Sequence, residues 1–295
     1  MSKKENKISV KFFRNHLVRA VWNNDNNKWY FSVLDVIGAI RKEGDYTKNR
    51  NYWKYLKAKL KQKNSQLVSS TTQLKLEAKD GKKYKSDCLD SEGICVLSKE
   101  FPSNAGAKFL DWFIGNENSI DSKSREKAYE LFDKNLIDDN DIGKTKSLLQ
   151  IHGFIFAGLY DFAGKVREKT ISKNGFMFAN ALYLKKTLED IEKMSENNFT
   201  QIIDKYIEMN IAHPFMEGNG RATRIWLDLI LKKRIKKCID WSKIEKKIYL
   251  CAMKESVSDG EELKKLLESA LTDKIDDREV FMKGIDYSYY YEEID

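Results

Sequence analysis

His213-Pro-Phe-Met-Glu-Gly-Asn-Gly-Arg-Ala-Thr-Arg224 decides how the C-terminal half of this chain is read. The preceding segment, Phe199 to Ala212, carries Ile202, Ile203, Tyr206, Ile207, Met209 and Ile211 at helical spacing. Pro214 biases the residue before it away from helix, so the spacing predicts His213 in a loop at the end of one helix. A second helix is expected to start near Gly218-Asn219-Gly220 and to run on through Ile225-Trp-Leu-Asp-Leu-Ile-Leu. The first N–H groups of a helix have no internal partner and favour an anion. Glycine there lets a phosphate approach the backbone. Arg221 and Arg224, at i and i+3, share a face and offer forked donors. Glu217 is a hard oxygen ligand suited to a phosphate-borne Mg²⁺. His213 titrates near neutrality and can take a proton from a hydroxyl. A histidine-proline turn before an ordinary capped basic helix would give some of these letters. Base, acid, glycines and two arginines in this order suit a nucleoside triphosphate better. Phe215 is expected to anchor the loop in the core.

The same residues resemble the signature of Fic-domain proteins, H-x-F-x-(D/E)-G-N-G-R-x-x-R, at every fixed position. The resemblance extends over about residues 142–293. It implies a mostly helical domain that moves AMP from ATP to a hydroxyl side chain of a target protein, with ATP and Mg²⁺ as cofactors. By this resemblance His213 is the general base and Glu217 holds Mg²⁺ near the α- and β-phosphates. Gly218, Asn219 and Gly220 form the anion hole. Arg221 neutralises the phosphates that leave, and Arg224 grips the γ-phosphate. Kinase-like relatives depart from G-N-G, which this chain keeps.

Two further segments bear on the site. Ile171-Ser-Lys-Asn-Gly-Phe-Met-Phe178 holds an Asn-Gly turn inside a short run, a hairpin signal. It follows Tyr160-Asp-Phe-Ala-Gly-Lys-Val-Arg167 and precedes a helical stretch from Ala181. A plain surface hairpin would look alike. The resemblance makes it the flap, with Ile171, Ser172, Lys173, Gly175 and Phe176 facing the target by strand-like pairing. Ser288-Tyr-Tyr-Tyr-Glu-Glu293 resembles the C-terminal inhibitory motif of the family, (S/T)-x-x-x-E-(G/N), with Glu293 in place of Gly or Asn. The implied scheme pairs Glu292 with Arg224, presented by a helix carrying Ser288, so that carboxylate and γ-phosphate compete for one guanidinium. A terminal amphipathic helix with packed tyrosines is the bland alternative. Tyr289 is a candidate for self-modification.

Composition sets the frame. A chain of 295 residues can hold two domains. No run reaches the roughly 18 apolar residues of a membrane span, so no membrane partner is expected. The opening Met-Ser-Lys-Lys-Glu-Asn-Lys leads into no signal-type stretch. Cys88, Cys95, Cys238 and Cys251 lack metal-ligand spacing and are expected to be reduced thiols, which together predicts a cytoplasmic location. Residues 1–120 hold 23 Lys and Arg against 13 Asp and Glu, whereas residues 121–295 hold 30 against 32. The basic excess is thus N-terminal, and it points to a polyanion, with nucleic acid the leading partner.

The N-terminal half reads as a small α+β unit. Lys7 to Val21 suits strands, Asn23 to Asn27 a polar turn, and Asp35 to Arg41 a helix with Ser32 as N-cap. Asn51 to Leu60 is a basic amphipathic helix, Thr71 to Tyr84 a hairpin around Lys79-Asp-Gly81, and Leu89 to Leu97 and Ala105 to Phe113 are helices. Val18-Arg19, Trp29 through Asp35, Tyr52-Trp53, Leu56-Lys57, Asp80-Gly81 and Phe109-Leu-Asp-Trp112 resemble the Bro-N type domain of phage antirepressors over about residues 7–115. That resemblance implies DNA binding. Arg50, Lys54, Lys57, Lys59, Lys61 and Lys63 are the candidate phosphate contacts, although a solvated basic face would share them. The expected order is an α+β domain over 1–115, a linker over 116–141, and a mainly α domain with a short β-hairpin flap over 142–295. Two functions from different classes fit it. One is an AMP-transferring enzyme, with self-association a candidate control. The other is a phage-type DNA-binding regulator with a silent nucleotide-binding domain.

Overall fold

The computed structural model describes residues 8–13, 15–23, 25–26, 28–63, 65–78, 81–101, 104–117, 119–134, 136–173 and 175–292. It divides into two compact units at Ser119/Ile120. Among the described residues it carries twelve α-helices and a five-stranded antiparallel sheet with two small two-stranded ones.

In the first unit, β1 (Ile8–Phe13), β2 (His16–Asn23) and β3 (Lys28–Ser32) form a meander. Asn23 Oδ1 accepts from Asp25 N at 2.8 Å, the local hydrogen bond that polar turn residues supply. Ser32 caps α1 (Val33–Arg41), its Oγ accepting from Asp35 N. Then follow α2 (Tyr46–Gln62), β4 (Thr72–Glu77), β5 (Lys83–Asp90), α3 (Ser91–Lys99) and α4 (Asn104–Glu117). The sheet order is β1-β2-β3-β5-β4. The expected helix from Leu89 begins two residues later, because Leu89 and Asp90 pair with Phe31 and Tyr30 as strand. Lys79 and Asp80 of the hairpin turn lie outside the described residues. The core is apolar: Phe31, Val36, Ile37, Leu60, Ile94 and Phe109 are sealed from solvent. Asp35 takes a bidentate fork from Arg19 at 2.6 and 2.7 Å, which ties α1 to β2.

The second unit opens with α5 (Ile120–Glu130), a short 3₁₀ turn at Asp139–Asp141, and α6 (Thr145–Phe156). Residues 120–141 therefore belong to this unit and do not serve as a free linker. A hairpin of β6 (Ser172–Lys173) and β7 (Phe176–Met177) follows. Next come α7 (Ala181–Glu192), α8 (Phe199–Ala212) and α9 (Asn219–Ile235). The chain continues through β8 (Cys238–Ile239), α10 (Lys246–Glu255), α11 (Glu261–Ser269), β9 (Leu271–Thr272, paired with β8) and α12 (Arg278–Tyr290). Helix α9 buries Ala222, Thr223, Ile225, Trp226, Leu227, Ile230 and Leu231 on more than one face, the pattern of a central helix. Around it pack α6, α8 and α12. The α8–α9 junction, which holds the quoted motif, is thereby fixed from several sides.

The four cysteines are free thiols, and burial pushes Cys88 and Cys238 up to about 12. No helix among the described residues is long and apolar enough to cross a membrane.

Candidate active site

His213 caps α8 in the left-handed conformation, with φ of 49°. A non-glycine residue takes that region rarely and at a cost, so something must hold it there. Its ring Nδ1 lies 3.2 Å from Asn210 O. A carbonyl only accepts, so Nδ1 carries the proton and Nε2 keeps its lone pair. The ring stacks on Phe178 at 3.7 Å between centroids. Burial lowers its pKa to about 4, countered by the Asn210 bond and the Glu292 charge, with Lys173 and Arg167 pushing the same way as burial. The imidazole is therefore neutral at physiological pH, with the Nε2 lone pair available to accept a proton.

Between the two helices the loop is clamped by the Asn219 side chain. Its Oδ1 accepts from Phe215 N at 2.8 Å and its Nδ2 donates to Phe215 O at 2.7 Å. These two bonds commit the Asn219 side chain to bracing the loop, beside the main-chain N–H groups at the start of the next helix. Gly218 has φ of 81° and caps α9. A side chain there would collide with Phe156, so glycine is required twice over. Phe215 is sealed from solvent and stacks on His152 at 3.7 Å, as a core anchor should.

Both arginines of the motif are buried at the start of α9 and both are occupied by carboxylates. Arg224 donates from Nη2 to Glu292 Oε1 at 2.6 Å and to Ser288 O at 2.7 Å, and from Nε to Ser288 Oγ at 2.7 Å. Its Nη1 reaches Tyr249 Oη at 3.3 Å, and the Tyr249 and Tyr206 hydroxyls share a 2.6 Å bond behind it. The guanidinium beside it holds Glu292 down at about 2 against the effect of burial. Gly220 matters here too, because any side chain at that position would meet Glu292 Oε1. Lys173 of the hairpin adds a second cation 3.7 Å from Glu292 Oε2.

Arg221 donates from Nη2 to Glu217 Oε1 at 2.8 Å and from Nη1 to Asp121 of α5. Its guanidinium lies between the rings of Phe156 and Tyr289, at 5.1 and 5.4 Å. Its Nε is buried without a partner, a donor left over for an acceptor from outside. Gly218 N also donates to Glu217 Oε1, at 3.0 Å. Both bonds fall on one oxygen of a side chain 55% exposed, which leaves Oε2 toward solvent. One accessible carboxylate oxygen suits Mg²⁺ that arrives with phosphate oxygens and keeps several waters. Among the described residues no cluster of three His, Cys, Asp or Glu side chains could hold a metal by itself.

Several residues of the site have no signal in the sequence pattern. Asp121 falls in the segment read as linker, and a contact spanning 100 residues leaves no local pattern. His152 accepts from Gly164 N at Nδ1 and donates from Nε2 to Glu217 O at 2.9 Å, so it steadies the acid's backbone. The rarity of histidine in the chain is the one signal that could flag it. Tyr289, a candidate for self-modification, is 3% exposed and donates to Ser124 Oγ at 3.0 Å. Its hydroxyl is closed to any reaction in this arrangement. In the hairpin, Ser172 pairs with Met177 and Lys173 with Phe176. Ile171 leads in and Gly175 takes φ of 80°, while Asn174 of the turn and Glu293 of the terminal motif lie outside the described residues.

In the first unit, Arg50, Lys54, Lys59, Lys61 and Lys63 are exposed along and just beyond α2. Lys57 is not a free phosphate contact, because its Nζ pairs with Asp87 at 2.8 Å. Lys63 lies 3.7 Å from Glu100.

Comparison with known proteins gives the following likenesses. Residues 143–231, a stretch within the second unit, match the model of the Fic/DOC family. The chain is similar to the protein adenylyltransferase VbhT of Bartonella schoenbuchensis, 32% identical over 110 residues, or 33% of this chain and 22% of that protein. It is also similar to the probable protein adenylyltransferase Fic of Salmonella typhimurium, 28% identical over 92 residues, or 28% of this chain and 46% of that one. The matched stretches thus span from about a fifth to under half of these relatives' length. Among solved structures, BepC of Bartonella tribocorum with bound AMPPNP aligns at 20% identity and a TM-score of 0.46, over 52% of this chain and 84% of that one.

Proposed function

We propose that the second unit is a protein adenylyltransferase that moves AMP from ATP to a hydroxyl side chain of a target protein and is restrained by its own C-terminal segment. The observation that carries this reading is the neutral His213 ring with its free Nε2, beside two buried arginines at a helix start. The names of the similar proteins support it at the level of the family.

His213 Nε2 takes the proton of the incoming hydroxyl as that oxygen attacks the α-phosphorus, and pyrophosphate leaves. Arg221 and Arg224 offset the charge that builds on the departing phosphates, where prearranged donors act most strongly. Main-chain N–H groups at Gly218 to Gly220 hold the phosphate chain in place. Glu217 would hold Mg²⁺ through Oε2, and the ion would supply positive charge against the phosphates. The 171–178 hairpin aligns an extended target segment alongside.

Restraint follows from competition. Glu292 and the γ-phosphate seek the same Arg224 guanidinium, and a carboxylate fixed by its own chain has the advantage. Asp121 covers Arg221 in the same way. ATP then binds without its γ-phosphate seated, and the α-phosphorus is left out of line with Nε2. For the first unit we propose DNA as partner, on the strength of the exposed basic residues of α2.

The test uses ATP labelled at either the α- or the γ-phosphate, with Glu292→Gly protein and host lysate. Label retained on protein from the α-position is the expected result. Label from the γ-position instead would identify a kinase, and no covalent label from either would leave a DNA-binding regulator with a silent nucleotide site.

A further inference from the structure

Arg167 lies just before the hairpin and is 4% exposed. Among the described residues its hydrogen bonds all go to main-chain carbonyls. Nε donates to His213 O at 2.7 Å and Nη1 to Lys169 O at 2.6 Å. Nη2 donates to Ala179 O at 2.5 Å and to Ala212 O at 3.1 Å. Its own N–H meets Pro214 O at 2.8 Å. A buried cation bonded this way is costly unless its environment compensates, and here the compensation is the negative end of α8. Ala212 and His213 supply carbonyls that the end of the helix leaves without partners.

The four acceptors belong to two structures. Ala212 and His213 end α8, while Lys169 and Ala179 stand at the two feet of the 171–178 hairpin. Ala179 N also donates to Ile211 O at 3.2 Å, and Phe178 N to Ile171 O at 3.2 Å. Phe178, at the second foot, is the residue whose ring stacks on His213. One planar fork therefore fixes both the left-handed backbone of His213 and the strand that lays an aromatic face on its imidazole.

We infer that Arg167 is a positioning residue, which locks the His213 ring in its Nδ1–H tautomer and couples the ring to the base of the target-binding hairpin. The part of this inference that concerns turnover rests on the AMP-transfer reading; the part that concerns the ring does not. Lysine cannot replace the fork, since a single ammonium has no planar set of donors to span four carbonyls. The charged side chains that face the His213 ring are Glu292 of the C-terminal segment, Lys173 of the hairpin and Arg167 itself.

The chain has three histidines, which makes the test tractable. His152 donates from Nε2 and accepts at Nδ1, the tautomer opposite to that of His213, and none of the Arg167 bonds reaches it. The full-length protein labelled with ¹⁵N in its histidine rings should show one ring of each tautomer from these two. In Arg167→Lys, His152 is expected to keep its pattern while His213 becomes a mixture of tautomers. In the Glu292→Gly background the same change should lower the AMP-transfer rate by about tenfold or more, with ATP affinity held within about twofold. Arg167→Met, which also removes the charge, should do the same more severely. A His213 ring that keeps a single tautomer in Arg167→Lys overturns the inference. So does an unchanged transfer rate from an active parent. If both histidines shift together, or both variants unfold, the fork supports the whole unit and the positioning role is refuted. If Glu292→Gly itself transfers no AMP, the enzymatic reading fails, and the two ring patterns still decide the role of Arg167.

Discussion

The two units of this molecule handle charge in opposite ways. The first is rich in lysine, yet among the described residues the polar groups it buries are uncharged: Ser9, Ser32, Asn49, Ser86 and Ser98. The described cations lie at least partly exposed, with Arg19 and Lys57 half-buried against Asp35 and Asp87. The second buries Arg125, Arg167, Lys205, Arg221, Arg224, Lys246 and Asp286 to within a few per cent of full enclosure. Taking a charge out of water is expensive unless partners await it. Lys205 meets Glu196 and Arg125 meets Asp286, while Arg221 and Arg224 are brought together at the start of α9, where the proposed triphosphate would meet them. A unit that keeps its charge outside can attract a polyanion only by its field. Buried charge therefore marks a site of defined geometry, and surface charge marks a face.

The contrast breaks most visibly if Arg224 is released. Glu292→Gly removes the carboxylate that occupies it, and a charge-assisted hydrogen bond is worth about 1.5–3 kcal/mol. AMP transfer should rise by roughly ten- to a hundredfold, read as α-label on protein per unit time. Unchanged turnover in a folded variant would remove restraint from the account.

The pH dependence comes next. His213 is lowered to about 4 from an ordinary 6.5, so the folded state binds fewer protons than the unfolded one between those values. Stability should fall as pH drops from about 6.5 toward 4, while the acid limb of transfer in Glu292→Gly should lie well below 6.5. Glu292 is lowered to about 2 from 4.5, so its pairing contributes fully above 4.5 and is lost as pH falls toward 2. Thermal melts of wild type and Glu292→Gly across this range should converge at the acid end. A transfer profile with its acid limb near 6.5 would mean that the ring is solvated during the reaction.

Smaller effects sharpen the contrast. Asp121 is 45% exposed where it meets Arg221, so solvent screens much of the attraction. Asp121→Asn should tighten ATP binding by only about two- to fivefold, measured by calorimetry. A larger gain would make Asp121 a restraint equal to Glu292. In the first unit, replacing Lys54, Lys59 or Lys61 singly by Glu should weaken DNA binding modestly and reduce the salt slope by about one per lost phosphate contact. No binding to duplex or single strands at low salt would leave the basic face without its partner.

Much of the architecture around the motif is legible in the residues themselves. The helix over Phe199 to Ala212, the loop at His213 and the start of α9 follow from periodicity, one proline and the glycines. Ser32 and the polar turn place the start of α1 to within two residues. What the pattern does not carry is long-range. Asp121 reaches Arg221 and Arg167 reaches the end of α8, across 100 and 46 residues, and neither has a local signature. The hidden hydroxyl of Tyr289 escapes for the same reason, because its burial depends on α5, a helix more than 150 residues away in the chain. The end of β5 reads as helix because Leu89 and Asp90 have no alternation of their own beyond their pairing with β3.

The most direct test concerns the imidazole. Glu292→Gly and Glu292→Gly/His213→Ala should be compared in transfer from α-labelled ATP, with nucleotide affinity measured in parallel. The account predicts equal affinity and a loss of transfer of about 10²–10⁴-fold in the double variant. Transfer that survives without His213, at undiminished rate, would contradict it.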